Sequence, residues 1–91
     1  MKFEWDAGKA ESNEHKHGVS FQEAVTIFND RMAITFDDPP HSDSEPRFLT
    51  IGYSSAGRLL VVYHVDRKGQ VRIVGARDAT KSERNNHESK K

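Results

Sequence analysis

The strongest apolar pattern in the chain lies at residues 46–79, where three short hydrophobic runs alternate with turn sequences. The runs are Phe48–Tyr53, Leu59–Val65 and Val71–Ala76, and they are rich in the β-branched and aromatic residues that favour strands. The sequences between them, Ser-Ser-Ala-Gly and Asp-Arg-Lys-Gly, are typical of hairpin turns. This pattern predicts a three-stranded antiparallel meander at the centre of a sheet.

The N-terminal third of the chain predicts a short edge strand followed by two helices. Apolar and polar residues alternate at residues 2–5, as they do in a strand. Asp6 is placed to cap the start of a first helix, and Gly18 is placed to end it. A second helix is predicted from Ser20, because Glu23 completes a capping box and apolar residues follow at helical spacing.

The remaining segments complete an α+β pattern. Residues 32–36 predict a further strand, and the polar residues 37–45 predict a mobile loop. Thr80 and Glu83 form another capping box, which opens a short C-terminal helix. The order β-α-α-β-β-β-β-α predicts one domain over residues 1–91, in which two N-terminal helices and a C-terminal helix pack on one face of a mostly antiparallel sheet.

The composition excludes several kinds of site. The chain has no cysteine, so neither a disulfide framework nor a thiolate metal site is possible. Its five histidines lack the spacing of a zinc-binding helix, and its six glycines are too dispersed for a phosphate-binding loop. No segment resembles a signal peptide or a membrane span. We therefore expect a cytoplasmic protein without metal, cofactor or membrane attachment.

The charge is balanced overall but unevenly distributed. Residues 22–45 contain six acidic residues and one basic residue, a net charge of −5. Residues 58–91 contain nine basic and four acidic residues, a net charge of +5. A basic C-terminal half is typical of a protein that meets a polyanion, although a segregated solvated surface explains the same pattern equally well.

The predicted meander carries residues suited to metal-free cleavage of RNA. That reaction needs a base for the 2′-hydroxyl, an acid for the 5′-oxygen and cations for the charged phosphorane. His64 suits proton transfer, Arg72 and Arg77 suit phosphate binding and transition-state stabilisation, and Arg47 suits positioning of the substrate. We expect His64 to share the face that the helices leave open with one or more of the arginines. Strand alternation alone places Arg72 and Arg77 on opposite faces unless a bulge intervenes.

Further cations are candidates for binding substrate. Lys9 and His17 qualify if the first helix folds over the sheet, and Lys81 and Arg84 if the C-terminal helix lies along an RNA backbone. A plainer interpretation stays open for the central residues. His64 would then cap a half-buried sheet face, and the arginines would pair with neighbouring aspartates.

Two sequence blocks give the chain a family resemblance. Lys-His-Gly-Val-Ser-Phe at residues 16–21 and the Arg-Ile-x-x-Ala-Arg-x-Ala-Thr spacing at residues 72–80 resemble the BrnT family of bacterial type II toxins. The likeness extends in order over nearly the whole chain. Two positions depart from the family pattern: Asp66 stands where the family often has Glu, and His87 stands where it tends to have Tyr.

The resemblance implies a RelE-like ribonuclease fold and a toxin that slows growth by cutting RNA and blocking translation. It also implies neutralisation by a BrnA-like antitoxin with a ribbon-helix-helix part, through which alone the complex would contact operator DNA. The hypothesis is therefore a metal-independent endoribonuclease toxin. Its rival is a degenerate toxin-like module that binds the antitoxin and takes part in operon autoregulation without turnover.

Overall fold

Within residues 1–38 and 45–89, which the computed structural model describes, five strands form one mixed sheet. The strands are β1 (Lys2–Glu4), β2 (Ile34–Asp37), β3 (Arg47–Tyr53), β4 (Leu59–Arg67) and β5 (Gln70–Asp78). Their order across the sheet is β1-β5-β4-β3-β2. All neighbours are antiparallel except β1, which runs parallel to β5.

The strands of the meander are longer than the apolar runs predicted. β4 and β5 each extend two residues past their predicted ends, because ladder pairing continues beyond the apolar run. β2 begins two residues later than predicted, at Ile34. Most of the predicted mobile loop at 37–45, including His41, lies outside the described residues.

All three helices begin at the predicted capping residues, α1 ends at Gly18 as predicted, and α3 runs two residues past its predicted end near His87. Asp6 caps α1 (Ala7–His17) by accepting from the Lys9 amide at 2.9 Å, and Gly18 ends it with a φ of 70°. Ser20 caps α2 (Phe21–Ala24), which continues as a 3₁₀ segment (Val25–Asn29). α3 (Lys81–Ser89) begins at the Thr80–Glu83 capping box, with both reciprocal hydrogen bonds formed. No helix in the described part of the chain is both long and apolar enough to cross a membrane.

The main core lies between the sheet and the pair formed by α1 and α2. Val19, Phe21, Ala24 and Ile27 are fully buried there. They pack against the inward-facing residues of the central strands, which are Leu60, Val62, Val71, Ile73 and Ala76. We call this side of the sheet the helix-covered face.

α3 lies on the other face of the sheet, so the prediction that all helices share one face is wrong. The His87 ring on α3 packs edge-on against Tyr53 of β3, with ring centroids 6.0 Å apart. The reason lies in β4, where Leu59, Leu60, Val61 and Val62 are all completely buried. A strand that is apolar on both faces needs cover on both, and α3 supplies part of the second layer.

The side chain of Asn13 joins α1 to the outer edge of β5. β1 pairs with β5 only as far as Arg72, so among the described residues no strand neighbours the edge beyond it. Asn13 accepts from the Ala76 amide at 3.1 Å and donates to the Ala76 carbonyl at 2.9 Å. Its amide also donates to the Val19 carbonyl at 3.0 Å. One side chain thus replaces a strand partner for Ala76.

Replacing Asn13 with Ala is expected to lower the free energy of unfolding by about 3 kcal/mol, because three hydrogen bonds to partly buried backbone groups are lost. Urea denaturation should show a lower midpoint with an unchanged slope. Ser12→Ala, on an exposed neighbour in α1, is the matched control. If Asn13→Ala lowers the free energy of unfolding by less than about 0.5 kcal/mol, the three hydrogen bonds of Asn13 add no stability.

Candidate functional site

β5 contains a one-residue bulge opposite the middle of β4. Tyr63 pairs with Gly75, whereas the next residue, His64, pairs with Ile73. Val74 therefore has no partner in β4. An extra residue of this kind shifts the alternation of side chains along the strand by one position.

The bulge brings the candidate arginines of β5 to a single face. Arg72 lies opposite Val65, and Arg77 lies opposite Val61, which are both on the side of β4 that faces away from α1 and α2. Arg47 of β3 also lies opposite Val65. Arg47 and Arg72 thus flank one residue of β4, with their Cα atoms about 10 Å apart.

We call this surface, which bears Arg47, Arg72, Arg77 and Tyr63, the arginine face. Arg77 donates to both carboxylate oxygens of Glu83, at 2.8 and 2.9 Å, and to the Tyr63 hydroxyl at 3.1 Å. This bidentate pair lowers the pKa of the Glu83 carboxyl to about 2 and raises the pKa of Arg77. Because Glu83 also caps α3, one carboxylate fixes both the helix start and the guanidinium.

A second charged cluster lies at the other end of the arginine face. Arg72 donates to Glu4 at 3.2 Å, and Arg67 makes a bidentate pair with Glu45 at 2.8 and 2.6 Å. Its hydrogen bonds with Arg67 lower the pKa of the Glu45 carboxyl, and the charge of Arg72 adds to the effect. Arg67 and Arg72 are thus held in defined orientations by carboxylates.

His64 does not lie on the arginine face, so its predicted placement beside the arginines is wrong. Its ring is 4% exposed on the helix-covered face, 5.2 Å from the Phe28 ring and 5.8 Å from the Phe48 ring. Its Nε2 is 2.8 Å from the Thr50 hydroxyl. Burial lowers the pKa of His64, and the Asp66 carboxylate 3.6 Å from Nδ1 opposes that shift only in part.

The predicted substrate-binding residues lie in two places, one between α1 and β5 and one on α3, which packs on the same side of the sheet as the arginine face. Lys9 and His17 line a groove between α1 and β5, and Lys81 and Arg84 are exposed on α3. The structure thus brings Lys9 and His17 together without placing them beside the arginines. Within residues 1–38 and 45–89, no group of three or more metal-ligating side chains is gathered in one place.

Sequence reasoning did not select Tyr63 and Glu4 as site residues. Tyr63 follows Leu59 and Val61 in strand alternation, which indicated its face, but its contact with Arg77 depends on the bulge. Glu4 meets Arg72 because β1 pairs with β5 in parallel register, and no local pattern predicts that register. Both residues are partly exposed and lie beside a guanidinium.

Comparison with known proteins places these features in a family. A family model described as "Ribonuclease toxin, BrnT, of type II toxin-antitoxin system" matches residues 5–83. This chain belongs to the BrnT family. Membership makes it a ribonuclease toxin of a type II toxin-antitoxin system at the level of the family, and it implies an antitoxin partner.

The fold agrees with this assignment. The crystal structure of the Brucella abortus ribonuclease toxin BrnT superposes with a TM-score of 0.70 at 21% sequence identity. The match covers 89% of this chain and 99% of the Brucella chain. A search of curated proteins gives no match. The shared features are therefore those of a BrnT-like α+β fold.

Replacing Glu83 with Gln is expected to flatten the acid dependence of stability. Because the pKa of Glu83 is lowered from 4.5 to about 2, its ion pair contributes fully above pH 4.5 and is lost as the pH falls towards 2. The contribution is about 2 kcal/mol, allowing for the partial exposure of the pair. Gln keeps an oxygen for the capping box while removing the charge.

Urea denaturation of Glu83→Gln between pH 7 and pH 2.5 measures this effect, with Glu11→Gln on an exposed part of α1 as control. The variant should be less stable than the parent at pH 7 and should converge with it at low pH. Parallel stability curves for parent and variant over this range would show that the Arg77–Glu83 pair contributes nothing.

Proposed function

We propose that this BrnT-family chain is a metal-independent endoribonuclease that cuts RNA and thereby inhibits translation and growth. In this proposal its fold is RelE-like, and a BrnA-like ribbon-helix-helix antitoxin neutralises it and carries the contacts with operator DNA. The single observation that carries the proposal is the β5 bulge, which puts both Arg72 and Arg77 on the face that bears Arg47 and Tyr63.

The reaction is an attack by the 2′-oxygen on phosphorus with departure of the 5′-oxygen, which leaves a 2′,3′-cyclic phosphate. Arg72 is the phosphate-binding cation, because Glu4 takes one of its five N–H donors and leaves others able to meet a phosphate. Arg47, on the far side of Val65, positions the flanking nucleotide. Arginines suit this work because their charge is permanent and their donors are fixed in a plane.

Arg77 acts mainly through its charge and through Tyr63. Its two terminal nitrogens already donate to Glu83, to the Asp78 carbonyl and to the Tyr63 hydroxyl. The Tyr63 oxygen accepts from Arg77, so its own proton can pass to the departing 5′-oxygen. The phenolate left behind is stabilised by the guanidinium 3.1 Å away.

Glu4 is the partner for the other proton. Its carboxylate is partly exposed and lies 3.2 Å from Arg72, beside the proposed phosphate position. It accepts the 2′-hydroxyl proton as the 2′-oxygen attacks. In this scheme His64, buried between two aromatic rings, supports the sheet instead of transferring protons.

The remaining cations would bind substrate away from the scissile bond. Lys9 and His17 in the α1 groove, and Lys81 and Arg84 on α3, would contact phosphates of the flanking RNA. These contacts carry little sequence information, so base preference would come from the arginine face itself.

A docking module without turnover is the second candidate. It is favoured by the carboxylate partners that already occupy Arg67, Arg72 and Arg77, and by the burial of His64. It is also favoured by a cleft of about 440 Å³ between α3 and strands β2 and β3, whose sheet side is apolar and includes the 39% exposed Phe36. In this reading the arginine face and the cleft hold the antitoxin, and RNA is not cut.

RNA cleavage in excess EDTA decides between the two candidates. The parent should cleave, and Arg72→Ala and Tyr63→Phe should each lower the rate at least about 100-fold, because each removes a group that acts on the reacting phosphate. Tyr53→Phe, which removes a hydroxyl bonded to Glu88 on the same side of the sheet, should retain activity. A folded parent that binds its antitoxin but does not cut RNA would favour the docking module.

Replacing His64 with Gln is expected to leave the cleavage rate within about threefold of the parent, since the Gln amide can still hydrogen-bond the Thr50 hydroxyl but cannot act as a neutral-pH acid or base. The same RNA assay is run at a temperature at which circular dichroism shows the variant to be folded. Complete loss of cleavage in a folded His64→Gln protein would return His64 to the catalytic set.

A further inference from the structure

A groove of about 380 Å³ runs between α1 and the bulged part of β5. Its lining contains three groups able to carry positive charge and no acidic residue. The lining residues are Lys9, Ser12, Asn13, Lys16, His17, Val74 and Gly75. The groove therefore offers a surface suited to an anion.

The charges of α1 are segregated around the helix axis. Lys9 and Lys16 are seven residues apart, so they lie on the same side of the helix and both line the groove. The acidic residues Glu11 and Glu14 are exposed and do not line it. This arrangement separates the groove cations from the nearest carboxylates of their own helix.

The groove cations differ from the arginines in their partners. Within residues 1–38 and 45–89, Arg67, Arg72 and Arg77 are each paired with a glutamate, whereas Lys9, Lys16 and His17 form no ion pair. Lysine side chains without a fixed partner need not break an existing pair to bind phosphate. The groove is thus the more accessible of the two cationic surfaces.

Gly75 is the point at which the groove meets the arginine face. A Cβ atom built at Gly75 would lie 3.8 Å from the Asn13 Oδ1 atom of the groove and 3.8 Å from the Tyr63 ring of the arginine face. β1 does not pair with this part of β5, so no strand in the described part of the chain blocks the edge there. The absence of a side chain at residue 75 leaves a low passage between the two surfaces.

We propose that single-stranded RNA crosses the sheet edge at Gly75, with its backbone held by Lys9, Lys16 and His17 before it reaches Tyr63 and Arg72. This inference rests on the proposed ribonuclease function and adds Lys16 and Gly75 to the substrate path. A single strand fits this path because its backbone can bend over a strand edge, whereas a duplex is stiff on this scale. Continuity with the arginine face favours RNA over an acidic protein segment.

The test is the binding of a fluorescent 2′-O-methyl RNA, which lacks the attacking hydroxyl and is therefore not cut. Lys9→Ala/Lys16→Ala should weaken binding at least about tenfold and lower the slope of log affinity against log salt by about 1.4, since each phosphate contact on a single strand contributes about 0.7. Lys2→Ala/Lys68→Asn removes the same charge elsewhere and is the control, with Asn suited to the positive φ of residue 68.

An unchanged affinity and salt slope in Lys9→Ala/Lys16→Ala would overturn the inference, even if the parent cleaves RNA in EDTA. Normal RNA binding with weakened antitoxin binding would also overturn it, and would assign the groove to a protein segment. Failure of the parent to cleave at all would instead defeat the proposed function. The two failures are therefore distinguishable.

Two substitutions at Gly75 test the crossing itself. Gly75→Ala adds a Cβ at ordinary contact distance and should bind RNA as the parent does. Gly75→Leu fills the passage and should lower affinity about tenfold while keeping the salt slope set by the groove lysines. A folded Gly75→Leu protein that binds like the parent would show that the RNA does not pass there.

Discussion

The bulge residue Val74, which has no partner in β4, determines which side chains of β5 face each side of the sheet. Strict alternation would turn either Arg72 or Arg77 into the apolar core, where an unpaired guanidinium is strongly unfavourable. Because of the extra residue, Val74, the residues before the bulge (Val71 and Ile73) and the residue after it (Ala76) all point into the same core. Both arginines therefore stay on the opposite face. A bulge interrupts the hydrogen bonds between strands, and the two hydrogen bonds of Asn13 with Ala76 stabilise β5 next to it.

The second layer of the fold depends on charge as well as on apolar contact. α3 contains no apolar residue, so burial alone cannot hold it on the sheet. The Arg77–Glu83 pair joins the first turn of α3 to β5, and His87 in the last turn of α3 packs against Tyr53. The position of the helix and the orientation of Arg77 are consequently coupled through one carboxylate.

The order of the elements was predictable because its signals are local. The caps at Asp6 and Ser20 and the alternation in the meander each act within a few residues. The bulge at Val74 leaves no such pattern, because register is decided by pairing between strands. Two errors were avoidable. The unbroken apolar run Leu59–Val62 indicated a sheet buried on both faces, and strand alternation put His64 on the same face as the buried Leu60 and Val62.

The hydrogen bonds between Asn13 and the edge of β5 also affect how this protein meets other chains in solution. A strand edge with free amide and carbonyl groups can recruit a strand from another molecule, which leads to runaway association. Asn13 of α1 occupies both groups of Ala76. Another chain could pair with Ala76 only by displacing Asn13, so this side chain keeps that position of β5 from acting as a free strand edge.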